Sequence, residues 1–422
     1  MKVTKFLVLF VIAVSTAFLY NGCGSDTTTP VGPTTGTVNG KVVDAQGNPV
    51  QGVLVAIGNA SFTTGADGNF TFNSITTPYN IKLVVSTGAT PSGFMYQGIT
   101  TFTPQIFAQG LTPTPSTAVL TVNIPSLGAN QRAAVIFTDN ALVHSSTTVS
   151  TSPATVNVTW QNSAPITGKV IVLYYTGDIT GAVVTYDKYG EKSNISLNNN
   201  GTSTITFAAG DLNVTPSTST LSGTTTVPTG YTPAQTRLLI KFTTQGTPLI
   251  GIALGTGAVG PTFSFKVPGG LTSAFTIGLE ATSGAATGEQ TVKVATGTVG
   301  GSNAITLETP PTLSTPVNAA TGVDTTTNFT FAGGTGTGVY MLQATSTGAT
   351  PKHFYVLTTS TSLTLPSFSS FGLPMGSSTA YTWVVVKIGS MSTVNDFVSS
   401  GFLNNASFNF ETISQSRTFT TP

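Results

Sequence analysis

Thr155-Val156-Asn157-Val158-Thr159-Trp160 alternates polar and apolar side chains residue by residue. The pattern returns in Thr204-Ile205-Thr206-Phe207, Phe263-Ser264-Phe265-Lys266-Val267, Phe275-Thr276-Ile277-Gly278-Leu279 and Phe329-Thr330-Phe331. A period of two places successive side chains on opposite faces of an extended strand, one face buried and the other wet. Turn residues separate these segments at near-regular spacing, so the chain is expected to be all-β, a set of tandem antiparallel β-sandwiches. The outward positions carry Thr, Ser and Asn where Lys and Glu are common elsewhere. That choice keeps strand propensity and solubility but leaves the sheet edges with little charged protection against pairing.

The composition agrees. About 80 threonines, with 46 Gly and 24 Pro in 422 residues, disfavour helices, because Thr is stiff at χ1 while Gly and Pro interrupt regular backbone. A length of this kind predicts roughly two to four domains. Only 7% of residues are charged, the net charge is +1 and no basic run exists. Nothing is available to neutralise a row of phosphates, which excludes nucleic acid as a partner.

At the N-terminus Lys2 and Lys5 precede an apolar run from Phe6 to Leu19, too short to span the roughly 30 Å hydrocarbon core and suited to an export signal. Leu19-Tyr20-Asn21-Gly22-Cys23 follows, and Cys23 is the single cysteine of the chain. This stretch resembles the lipobox of bacterial lipoproteins, with Tyr20 where that family prefers Leu. The resemblance implies cleavage after residue 22 and lipidation of Cys23, with two or three acyl chains holding the protein to a membrane. Gly24, which carries no charge, then implies export past the inner membrane to the outer membrane or cell surface. The residues alone also admit an ordinary cleaved signal that leaves an incidental thiol. Removing residues 1–22 takes Lys2 and Lys5 from the 15 basic side chains and leaves 13 against 14 acidic ones. After Cys23, residues 24–36 hold one Val and one Asp among Gly, Ser, Thr and Pro, and 23–36 is expected to form a flexible tether.

Residues 37–122 contain Gly40-Lys41-Val42-Val43-Asp44, then Gly47-Asn48-Pro49, then Asp67-Gly68-Asn69-Phe70-Thr71-Phe72. They resemble the carboxypeptidase regulatory-like domain, a small prealbumin-like (transthyretin-like) sandwich. The resemblance implies an accessory module classed with carbohydrate-binding-like folds and free of peptidase chemistry. Gly47-Asn48-Pro49 and Asp67-Gly68-Asn69 are expected as tight turns, the second with positive φ at Gly68. Asp44 and Asp67 each sit singly, as turn caps or as calcium ligands, and capping is the simpler reading.

The centre is expected to form two sandwiches, 123–222 and 223–309, or one larger one. Ser222-Gly223-Thr224 and Ile166-Thr167-Gly168-Lys169-Val170 both echo Val38-Asn39-Gly40-Lys41-Val42, too briefly to establish a repeat. After Pro310-Pro311, residues 310–422 carry Phe329-Thr330-Phe331, Val339 to Gln343 and Tyr381-Thr382-Trp383, with Arg417-Thr418-Phe419-Thr420 as a last strand. This stretch resembles a fibronectin type III domain of the immunoglobulin-like class. Tyr381 and Trp383 are expected to be core rings on one face.

Two histidines, His144 and His353, lie in different expected domains, and no nucleophile, base and acid come together in any local motif. Asp178, Asp187 and Glu191, with Lys188 and Lys192 interleaved, suit a solvated loop better than a glycosidase pair. No metal site and no cofactor are expected. The chain is therefore expected to be a non-enzymatic, lipid-anchored scaffold or adhesive protein of the cell envelope, meeting polysaccharide or other envelope proteins. The alternative is a carbohydrate-binding surface protein that stacks sugars on Phe94, Tyr96 and Phe102, three rings in a Gly/Ser/Thr-rich stretch. Burial of these rings would favour the scaffold.

Overall fold

The computed structural model describes residues 32–43, 49–85, 91–107, 116–139, 143–160, 164–177, 182–242, 252–253, 257–348, 350–399 and 409–422. The export signal, Cys23, most of the tether, Asp44 and Asp178 lie outside these residues, as does the side chain of His144. The chain is all-β, with four successive sandwiches, numbered here as modules.

Module 1 contains β1 (Thr35–Val43), β2 (Leu54–Ile57), β3 (Ala60–Thr63), β4 (Asn69–Thr76), β5 (Tyr79–Val85), β6 (Ser92–Ile99) and β7 (Gln105–Phe107). Its sheets have the orders β4-β1-β7 and β3-β2-β5-β6. Alternation drives the packing: Val38 and Val42 on β1 and Phe70 and Phe72 on β4 are buried, while Asn39 and Thr71 face water. Gly68 has φ of 70°, and Asp67 accepts hydrogen bonds from the Asn69 backbone and side-chain amides at 3.1 and 2.8 Å, so this carboxylate is a turn cap.

Module 2 contains β8 (Ser116–Asn123), β9 (Gln131–Thr138), β10 (Val143–Val149), β11 (Ala154–Trp160), β12 (Ile166–Gly177), β13 (Val183–Leu197) and β14 (Gly201–Thr206). The orders are β11-β8-β14 and β10-β9-β12-β13. Module 3 contains β15 (Ser217–Thr226), β16 (Gln235–Lys241), β17 (Ile252–Ala253), β18 (Ala258–Val259), β19 (Thr262–Gly269), β20 (Thr276–Gly284), β21 (Gln290–Thr296) and β22 (Asn303–Thr306), ordered β19-β15-β22 and β17-β16-β20-β21.

The three modules share one topology: the first strand lies between an antiparallel mid-chain strand and the module's last strand, which runs parallel to it. One echo in the sequence is therefore structural. Gly40 pairs with Phe70, and Gly223 with Phe263; a Cβ on either glycine would fall inside van der Waals distance of that ring, so the aromatic packs where a side chain is missing. The other echo is not, since Thr167-Gly168-Lys169 belongs to β12 in the opposite sheet. The expected boundaries at 122 and 222 cut through β8 and β15, the strands that begin modules 2 and 3. The polar runs there read as linkers because outward-facing Thr and Ser have the same composition as a loop.

Module 4 contains β23 (Thr312–Thr315), β24 (Ala320–Thr321), β25 (Asn328–Ala332), β26 (Gly338–Ser346), β27 (His353–Thr358), β28 (Ser362–Thr364), β29 (Ala380–Gly389), β30 (Phe410–Ile413) and β31 (Arg417–Thr420). One sheet is β23-β25-β28, and the other includes β30-β29-β26-β27. Tyr381 and Trp383 are fully buried, Trp383 edge-on to Phe329 at 5.0 Å and Tyr381 stacked on Phe419 at 5.1 Å. Arg417–Thr420 closes the module against β29 and, in parallel, against β24.

The chain divides into two compact units. One is built from 113–283 and 293–307; the other joins the stretch ending at 112 to 284–292 and 308–422. Modules 2 and 3 thus share a unit, and so do modules 1 and 4, the first and last in sequence.

Candidate functional site

Two joints, one in each unit, hold the most organised chemistry of the described residues. In the unit of modules 1 and 4, β6 pairs in parallel with β27, Ser92 to Tyr96 running beside His353 to Leu357. Module 1's sheet β3-β2-β5-β6 thereby continues into module 4's. Met95 and Val84 of module 1 belong to the module 4 core, and the Phe368 ring packs on Gly93. Asn395, in a short turn of module 4, accepts the Thr100 and Thr101 amides at 2.9 and 3.3 Å and donates to the Thr100 hydroxyl at 2.7 Å. The Gln105 amide donates to the Val398 carbonyl at 2.7 Å, and Lys82 Nζ to the Ser367 carbonyl at 3.2 Å. Apolar burial supplies the adhesion, and these bonds fix the register.

Phe94 lies in this seam, stacked on Tyr355 with centroids 4.7 Å apart and planes 5° from parallel; Tyr355 in turn stacks on His353 at 6.1 Å. Burial lowers the pKa of the His353 imidazole, whose Nδ1 lies 3.0 Å from Thr345 Oγ1. Phe94 and Tyr96 are 1% and 4% exposed, and Phe102 is half-buried with its ring against Gly36. Neither Phe94 nor Tyr96 offers a face to a sugar: they share a sheet face with their buried cross-strand partners Leu83 and Ile81, and Tyr355 of module 4 stacks on Phe94. The expectation of sugar stacking on these rings is corrected on that ground.

In the unit of modules 2 and 3, the sheet of β9, β12 and β13 is apolar on both faces, which explains the unbroken run Val170-Ile171-Val172-Leu173-Tyr174-Tyr175. One face forms the module 2 core; the other receives Ile240 and Phe242 of module 3, with Leu271 and Phe275 packed alongside. A polar cluster borders this second face. Tyr189 donates to Glu191 Oε2 at 2.6 Å, Ser273 Oγ donates to the same oxygen, and Lys169 Nζ reaches Ser273 Oγ at 2.7 Å and Glu191 at 3.9 Å. The Ser273 amide donates to the Tyr189 hydroxyl at 3.3 Å. Ser273 comes from the loop after β19, and the other three side chains from module 2.

Desolvation pushes the Glu191 carboxyl up, but hydrogen bonds from Ser273 and Tyr189 and the charge of Lys169 together leave its pKa below the ordinary value. Burial and the neighbouring carboxylate push the Tyr189 phenol up. A serine between a lysine and a carboxylate has the composition of a nucleophile with its base. Here, however, the ammonium donates to Ser273 Oγ while Glu191 accepts the hydrogen bond of the hydroxyl, so all three groups are committed to one another. The arrangement is a latch between modules.

Sequence reasoning placed Glu191 among solvated acids. It missed Lys169 and Ser273, which lie roughly a hundred residues apart and carry no local signal. Asp187 is held separately by Gln131, Thr176 and Thr185 at 2.8–2.9 Å. Among the described residues no group of three or more His, Cys, Asp or Glu could hold a metal ion, and no helix is long and apolar enough to cross a membrane.

Replacing Glu191 by alanine is expected to cost about 1–3 kcal/mol, since one half-buried acceptor serves two hydroxyls and a nearby ammonium. Because its folded pKa is depressed, this contribution is present above the ordinary value of 4.5 and is lost as pH falls through the folded value. Urea melts at pH 7 and pH 3 should show the difference between wild type and Glu191→Ala shrinking at the lower pH. An equal difference at both would mean that the carboxylate charge plays no part.

Neither a scan against protein families nor a search of curated proteins finds a match. Among solved structures, the chain is 14% identical to a protein described as the crystal structure of a tetra-tandem repeat in the extending region of a large adhesion protein. That alignment covers 92% of this chain and 100% of the other, with a TM-score of 0.16. A score of this size establishes no shared topology.

Proposed function

We propose that the protein is a non-enzymatic, lipid-anchored scaffold of the bacterial cell envelope, which presents a structural or adhesive surface built of β-sandwiches. The observation that carries this reading is the continuous sheet across β6 and β27, with Val84 and Met95 in the module 4 core on one face and Phe94 stacked on Tyr355 on the other. Each unit is organised around a buried joint between two modules, and stiffness within a unit suits a spacer or presenting scaffold. Polar clusters spent on joints, as at Glu191 and Ser273, fit the same reading. The export signal and Leu19-Tyr20-Asn21-Gly22-Cys23 support an N-terminal acyl anchor. The motifs of residues 37–122 and 310–422 support carboxypeptidase regulatory-like and fibronectin type III-like assignments for the first and last modules.

The test is intact mass and membrane partition of wild type beside Cys23→Ala. Wild type should carry acyl mass and sediment with membranes, and the variant should be soluble and unacylated. A wild type without acyl mass in the soluble fraction would end the anchored reading.

A further inference from the structure

We infer that modules 2 and 3 are mechanical clamps and that the chain bears tension between its anchor and whatever it holds. The inference deepens the scaffold reading and rests on it. In module 2 the chain enters at the start of β8 and leaves at the end of β14, and these strands are parallel neighbours from Gly201 opposite Ala118 to Thr206 opposite Asn123. The ladder continues at both ends, through Asn200 N to Thr117 O at 2.7 Å and Phe207 N to Asn123 O at 2.8 Å. Pulling the two ends apart draws parallel neighbours in opposite directions along their own axes. The evenly spaced bonds of a parallel ladder are then loaded together in shear. If the two strands were loaded at one end, the bonds would break one after another.

Module 3 repeats the device. β15 and β22 run parallel from Gly223 opposite Asn303 to Thr226 opposite Thr306, with Leu307 N donating to Thr226 O at 2.9 Å. Asn303, 6% exposed, fastens the last strand: its Nδ2 donates to the carbonyls of Ser222, Thr298 and Gly301, and its Oδ1 accepts the Thr298 amide. The inward residues Leu120, Val122 and Leu221 are fully buried, so water reaches these ladders from one side only. Module 1 closes its first strand on its last in the same way but over three residue pairs only, so the high-force events are assigned to modules 2 and 3.

The seam between β6 and β27 sets the order of events. Tension between the N-terminal tether and the C-terminus passes from module 1 to module 4 across the shared sheet, and modules 2 and 3 carry load only after that seam parts.

The test is single-molecule force spectroscopy on the full chain in a Cys23→Ser background. Pulled from its termini, the chain should show a seam event and then two high-force events, each releasing about 300 Å of contour for residues 116–206 and 217–306. A second full chain takes its handles at Gly128→Cys, where a Cβ would meet only the Gln131 side chain at ordinary contact distance, and at Gly210→Cys, where it would meet nothing within 4 Å. These flank the C-terminal ends of β8 and β14, so the pull peels the ladder, and module 2 should open at a several-fold lower force. Forced unfolding reads the barrier, so equal thermal melting of the two chains separates this effect from stability. Equal forces in both geometries, or modules 2 and 3 yielding before the seam, would overturn the inference and leave the anchored scaffold standing.

Discussion

Lys387→Met should lower the stability of the unit formed by modules 1 and 4 by about 3–5 kcal/mol. Lys387 is 2% exposed on β29, and its Nζ donates to the carbonyls of Gly333, Thr335 and Gly336 at 3.0, 3.0 and 2.5 Å while lying 5.3 Å from the Tyr340 ring centre. Residues 333–336 form a glycine-rich turn after β25 whose carbonyls point inward, and the ammonium serves as their common donor. Desolvation holds the lysine pKa below its ordinary value, and the charge of Glu308 offsets only part of that shift.

Methionine keeps the stem and its packing but donates nothing. Three inward carbonyls then lose their donor, each at about 1–3 kcal/mol less whatever water recovers. The β25–β26 turn should loosen with them. Urea unfolding of wild type and variant at pH 7 measures the loss, and amide exchange over 333–338 locates it. A loss under about 1 kcal/mol would mean that the turn holds its shape without the cation.

The local part of the fold was legible in the sequence, and the part that joins distant segments was not. Alternation marks Phe329 and Phe331, Tyr381 and Trp383, and Thr155 to Trp160 as strands, because one residue's neighbours along the chain decide which face it occupies. Parallel closure of β8 on β14 or of β15 on β22 depends on strands about eighty residues apart, and nothing in either strand names its partner. The error over Phe94 and Tyr96 has the same origin. A Gly/Ser/Thr-rich setting suggests exposure, yet both rings share a face with Ile81 and Leu83 of β5, and Tyr355 on β27, some 260 residues later, stacks on Phe94. Gly40 and Gly223 show the limit of motif reading: the glycine alone is shared between the two stretches, too little to prove a repeat, and only Phe70 and Phe263 packed over them show which echo was structural. The latch of Lys169, Glu191 and Ser273 was invisible for a related reason. Its members look like ordinary surface residues until two modules bring them together.

Replacing Glu411 by glutamine is expected to stabilise the protein above pH 5, a direction few buried substitutions take. Glu411 lies on β30 opposite Ile388, 8% exposed, and burial alone pushes its pKa from 4.5 up to about 8. Folding therefore favours the protonated acid. The unfolded chain gives up that proton near pH 4.5, so wild type pays progressively more to keep it as pH rises from about 4.5 to about 8. A shift of this size corresponds to a loss on the order of 4 kcal/mol across the window. Glutamine is neutral throughout and should remove this contribution, while that of His353, lowered from 6.5 by burial, is common to both chains, so melts of wild type and variant from pH 4 to pH 9 should converge near pH 4.5 and diverge above it. Glu191 has the opposite sign and loses its contribution only as pH falls below 4.5, which keeps the two carboxyls apart in one titration. Lys241, lowered to about 8 by burial, acts only above the window. A difference in melting temperature between wild type and variant that stays constant from pH 5 to pH 8 would show that Glu411 ionises in place, with water reaching β30 in solution.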